Sequence, residues 1–149
     1  MDFDELLQKR VVEPCDAGFD ETAGLMRVAR RDIATASSLV ETDLDWAFAV
    51  AYNAILQSSV ALIASHGFRP HSRNKHFNTF RFMSVALPEE SDTITRLQRF
   101  RKKRHAAVYE QPGLIGAQEA RDIIEFAGRY VGMIEDRLPL EVKERLREG

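Results

Sequence analysis

The stretch LDWAFAVAYNAILQSSVALIASH, Leu44 to His66, decides the fold. At the helical period its apolar residues fall on nearly every side, and such a helix belongs at the centre of a bundle or in a subunit interface. Asn53, Gln57, Ser58 and Ser59 interrupt the apolar run, which argues for a buried or partner-facing helix over a membrane span. Thr42-Asp43 offers an N-cap before it, and Gly67 a C′ position after it, with Pro70 close behind. The amides of Asn53 and Gln57, one turn apart, need partners when buried, and interhelical or cross-dimer hydrogen bonds would supply them.

Outward from this helix every long segment repeats the helix period, and none alternates as a strand does. Upstream, a short amphipathic start through Phe3, Leu6 and Leu7 meets a break at residues 14–18. A long helix over about 21–40 follows, with the stripe Leu25, Met26, Ala29, Ile33, Ala36 and Leu39. Downstream, a shorter helix over about 72–87 is expected to turn Phe77, Phe80 and Leu87 inward, and Pro88 stops it. Ser91 or Asp92 caps the fourth helix, which Gln111-Pro112-Gly113 breaks. The fifth, over about 117–138, runs through Ala120, Ile123, Ile124, Ala127, Tyr130, Val131 and Ile134. Pro139 opens a charged tail, 139–149, expected as one or two frayed turns. Without repeats or linkers, residues 1–149 read as one domain with its core at about 21–138. Short loops make sequential helices antiparallel, so the expected class is all-α: an antiparallel bundle of four or five helices.

Composition narrows the function. The formal net charge is -2, so any attraction to nucleic acid must come from a local surface. Cys15 is the single cysteine, which excludes an internal disulfide and a thiolate zinc site and fits a reducing compartment. No basic-then-apolar leader opens the sequence, and the expectation is a cytoplasmic protein off the membrane, without cofactor. Glycine-rich phosphate loops, paired catalytic carboxylates and nucleophile elbows are absent, and Cys15 has no activating histidine beside it in sequence. His71 and His76 lie among Arg69, Arg73 and Lys75, and cationic neighbours without carboxylates argue against a metal. His76 is expected as a helix-start or cleft residue. If its segment packs near the fourth helix, its positive charges extend the surface described next.

That surface is RLQRFRKKRHAAVYE, Arg96 to Glu110, where six of the first nine residues are basic. On a helical wheel starting at Ile94, Leu97, Phe100, Ala107 and Val108 share an arc from about 220° to 360°. Arg96, Arg99, Lys102 and Lys103 fall outside this apolar arc. Arg101 and Arg104 fall inside it, at about 340° and 280°, and His105 lies at its margin near ~20°. Arg101, His105 and Tyr109 then form a ladder at i, i+4 and i+8. A guanidinium facing a core must be paired or must line a cleft that receives an anion. Asp32, Asp45 and Glu110 are the internal acids that would serve the first case.

AYNAILQSSVALIASHGFRP (Ala51 to Pro70), then His76, then RFRKKRHAAVYE (Arg99 to Glu110) together resemble the HEPN domain family over about residues 21–138. The resemblance implies an antiparallel helical bundle that forms a homodimer. In catalytic members an arginine, a polar residue and a histidine from each protomer meet across the dimer cleft and cut RNA without a metal. Many members are toxins or defence components paired with a nucleotidyltransferase antitoxin, and others are non-catalytic RNA-binding or assembly modules. Residue by residue, Arg104 matches the family arginine and His105 the polar position, and Tyr109 stands where the histidine belongs. Tyrosine, with a pKa of ~10, is a poor base at neutral pH. Two other alignments stay open, pairing His105 with Arg99 or with Arg101.

Three functions follow for this chain. In the first, Arg99, Arg101, Lys102, Arg104, His105 and Tyr109 bind RNA or a nucleotide with weak or no catalysis. In the second, a metal-independent ribonuclease uses His105 for proton exchange, Arg101 and Arg104 for phosphorane charge, and Tyr109 as a hydrogen-bond donor. In the third, the arginines make ion pairs in a purely structural dimer.

Overall fold

The structure, a computed structural model, describes residues 1–148. Its centre is α3 (Leu44–Ser65), whose most apolar window is 78% buried inside the protein although its length and apolarity would suffice to cross a membrane. Asp43 starts it by accepting a hydrogen bond from the Trp46 amide at 3.1 Å. Gly67, at φ 85°, ends it in the left-handed conformation that glycine adopts without strain.

Around α3 pack α2 (Phe19–Leu39) and α6 (Ala117–Asp136), with α4 (Lys75–Ala86) and α5 (Ser91–His105) closing the remaining side. The core runs through Met26, Ala29, Tyr52, Ile55, Ile63, Phe80, Met83, Leu97, Ile123 and Ile134. Each large apolar side chain buried there contributes about 1.5–3 kcal/mol. The polar residues of α3 bond both within the helix and to its neighbours. Asn53 donates to Asp32 on α2 at 2.6 Å and accepts from Gln57 at 3.4 Å, while the Ser59 and Tyr130 hydroxyls join α3 to α6 at 2.7 Å. The need for partners is met within one chain.

Four expectations are corrected. First, two strands exist: β1 (Val12–Pro14) pairs antiparallel with β2 (Phe68–Pro70), Glu13 opposite Arg69. Three residues per strand are too few for alternation to register, and the prolines, Pro14 and Pro70, sit between the flanking cross-strand bonds from the Cys15 amide to Gly67 and from the His71 amide to Val11, both at 2.9 Å. The ladder ties α1 (Phe3–Gln8) to the exit of α3, where Phe3 stacks on Phe82 with centroids 5.1 Å apart. Second, Phe77 is 41% exposed, and Phe82 takes the buried place, fully enclosed. The α4 face that meets the core is set by Phe80 and Met83, and Phe77, three residues before Phe80 in the first turn, lies beyond its end.

Third, the tail is an ordered helix, α7 (Leu140–Glu148), which buries Val142 and Leu146 against α2 while Arg145 bonds Asp20 at 3.1 Å. The four-residue spacing of Val142 and Leu146 is an amphipathic signal that a charged composition masks. Fourth, neither Ser91 nor Asp92 caps α5. It begins at Ser91, directly after a 3-10 turn at Pro88–Glu90, with no side-chain cap.

Candidate functional site

The fourth helix of the sequence reading is α5, and it runs on without a break into a π-helical turn, Ala106–Glu110. Leu97 and Ala107 anchor this rod to the core, and they fix which basic residues turn inward. Arg101 and Arg104 are half-buried, whereas Arg96, Arg99 and Lys102 are exposed. Lys103 reaches Glu119 on α6 at 3.1 Å, and Arg96 lies over the Phe126 ring at 4.6 Å.

Arg101, Arg104 and His105 meet the start of α4 around an open cleft of about 260 Å³, which Asn74, Lys75, His76 and Phe77 also line. The cationic segment around His76 and the basic helix are therefore one surface. Arg99 and Lys102 are not part of it: Arg99 lines a separate groove beside Phe48 and Phe100, on the α6 side. Tyr109 stands outside the cleft lining at 64% exposure, with its ring 5.5 Å from the Arg104 guanidinium. In an α-helix positions five apart diverge, and the wider π turn brings Tyr109 back beneath Arg104.

Neither inward arginine has an acid. Among the described residues no salt bridge reaches Arg101 or Arg104. The three acids named in the sequence as internal partners are engaged elsewhere. Asp32 holds Asn53 and Arg31, Asp45 accepts from the Gly113 amide at 2.6 Å and Ile115 at 3.2 Å, and Glu110 lies 3.6 Å from His105. Arg101 Nε donates to Gln98 at 2.7 Å, and its guanidinium lies 5.4 Å from the Phe77 centroid. Arg104 lies 5.7 Å from the Tyr52 centroid, and its Nε is buried without a hydrogen-bond partner. A buried donor left unmade costs about 1–3 kcal/mol, and no acid offsets the charge of the guanidinium that carries it.

Beneath the arginines the Tyr52 hydroxyl hydrogen-bonds His76 Nδ1 at 3.0 Å, the two rings stacked with centroids 5.6 Å apart. Burial holds the His76 imidazole down at about 4, helped by the positive charges of Arg104, Lys75 and Arg101. Burial also pushes the Tyr52 phenol up, against the opposing pull of Arg104 and Arg101. At neutral pH the cleft is therefore lined by a neutral imidazole beside its cations, with the neutral, buried phenol of Tyr52 behind that imidazole. His105 is at the rim, its side chain 59% exposed and its ring 5.0 Å from Tyr109.

No carboxylate lines the cleft, and among the described residues no group of three His, Cys, Asp or Glu side chains converges as a metal site would need. The chemistry available is that of an anion receptor: forked donors for phosphate oxygens, a neutral histidine and an aromatic lip. Tyr52 and Phe77 are the site residues that sequence reasoning missed. The signal for Tyr52 was the lone phenol on an apolar helix, which needs a polar partner when buried.

No protein-family model matches this chain, and no curated protein matches it either.

Proposed function

We propose that the chain is a HEPN-type module that binds RNA or a nucleotide through the cleft between α4 and α5. One observation carries this reading: two half-buried guanidinium groups, Arg101 and Arg104, face a cleft without any acid to neutralise them. Cations arranged this way attract phosphate, and the attraction weakens as salt rises. With a net charge of -2 the chain has no global attraction for polyanions, so the attraction must come from a local cationic surface such as this cleft. On the same resemblance the module works in the cytoplasm as a homodimer, beside a nucleotidyltransferase-type partner in a toxin-antitoxin or defence pair.

A second reading, metal-independent RNA cleavage, is favoured by the neutral imidazole of His76 next to two arginines. Transesterification needs a base for the 2′-hydroxyl and cations for the developing phosphorane charge. His76 is unprotonated at neutral pH, and Arg101 and Arg104 are the cations. Tyr109, at the position where catalytic relatives carry histidine, favours binding over turnover.

The test is purified protein on mixed single-stranded RNA in EDTA, wild type against Arg104→Ala, His76→Ala and His105→Ala. Salt-sensitive binding without cleavage, lost in Arg104→Ala, supports the binding module. Cleavage lost in Arg104→Ala together with either histidine variant supports the ribonuclease. Absence of binding, with a dimer that dissociates in Arg104→Ala, overturns both and leaves a structural role.

A further inference from the structure

The cleft has two kinds of wall, and phosphate chemistry uses only one of them. Lys75, Arg101 and Arg104 supply charge; Phe77 supplies an aromatic ring at the lip, 41% exposed on a helix whose other phenylalanines, Phe80 and Phe82, are fully buried. The Arg101 guanidinium is 5.4 Å from the Phe77 centroid, so a flat cation and a flat ring adjoin at the cleft entrance. Such arginine–aromatic pairs are the surfaces on which unpaired bases stack. Tyr109 is the other exposed ring nearby, but it lies outside the cleft lining.

Resting on the RNA- or nucleotide-binding reading, we infer that the cleft is a subsite for one unpaired nucleotide. Its phosphate is held by Arg101, Arg104 and Lys75, and its base lies against Phe77. Size fits this assignment, since about 260 Å³ accommodates one small unit and falls below the ~300–1,000 Å³ of drug-sized pockets. Strandedness follows too. A paired base is stacked inside its helix and cannot reach a ring on the protein, whereas an unpaired base is free to. With Nδ1 engaged by Tyr52, the other ring nitrogen of His76 is the one left to meet the nucleotide.

The experiment measures equilibrium binding of four probes: a short single-stranded oligoribonucleotide, its abasic counterpart with the same phosphates, the same sequence as a duplex, and inorganic tripolyphosphate. Wild type is compared with Phe77→Ala, Phe77→Leu and Arg104→Gln, each checked for folding by its thermal transition. Phe77 is exposed, so its variants retain the fold. The assignment predicts that both Phe77 variants weaken the single strand by roughly ten-fold and leave the abasic strand and tripolyphosphate unchanged. Arg104→Gln weakens all three. Phe77 variants that bind the single strand like wild type, while Arg104→Gln still weakens the single strand, the abasic strand and tripolyphosphate, overturn the base subsite and leave the phosphate reading standing. Wild type that binds none of the probes overturns both.

Discussion

Arg104 carries a cost in the free protein. Its Nε is buried and unpaired, and its guanidinium rests on the Tyr52 and Tyr109 rings with no acid nearby. Methionine keeps most of the aliphatic volume and removes the unsatisfied donor. Arg104→Met should therefore melt at or a few degrees above wild type, since about 1 kcal/mol moves Tm by roughly 2–4 °C at this size. A fall of more than about 5 °C would mean that the arginine supports the fold. His76 gives a second residue-scale prediction. Its imidazole titrates near 4 in the folded chain, and the unfolded chain has the ordinary value of ~6.5. Between these values the unfolded state binds more protons, so stability falls as pH drops from about 6.5 to 4. Discounted for the solvent that reaches the ring, the loss is on the order of 1 kcal/mol. Urea titrations at pH 7 and pH 4.5 should show this loss in wild type and a smaller one in His76→Gln. Equal losses would place the pH dependence elsewhere.

At the scale of elements, the helices were legible because their apolar residues recur every three or four positions over long segments. The buried α3 was the clearest, read from its all-round apolarity and from the Asp43 and Gly67 signals at its ends. The inward placement of Arg101 and Arg104 was legible for the same reason. What escaped notice was short or non-local. The β1–β2 ladder depends on pairing between residues more than fifty positions apart, and α7 hides two buried residues in a charged sequence. The π turn leaves no periodic trace, yet it moves Tyr109 beneath Arg104. Phe77 was misplaced because a wheel assigns a face without showing where the core ends. Two predictions belong here. Gly67→Ala forces a side chain into φ 85° and should cost about 1 kcal/mol in urea denaturation. Ending the chain after Leu138 uncovers the surface that Val142 and Leu146 bury and should cost about 3–5 kcal/mol; an unchanged denaturation midpoint would show α7 to be dispensable.

For the whole molecule, the central feature is an uneven charge distribution. A chain of net charge -2 gathers Lys75, Arg101 and Arg104 around one carboxylate-free cleft, while its other basic side chains lie on exposed faces or in surface ion pairs such as Arg69–Glu13, Lys103–Glu119 and Arg137–Glu89. Paired cations release few counterions on binding RNA, and unpaired ones release many. The salt dependence of binding therefore reports how many unpaired cations touch phosphate. The most direct test is the affinity of wild type and Arg104→Met for one single-stranded RNA, measured across a range of salt concentrations. Three phosphate-contacting cations predict a slope of log affinity against log salt of about -2 in wild type, reduced in size by ~0.7 in the variant. A flat slope in wild type, or an identical slope in the variant, would contradict phosphate capture by the cleft.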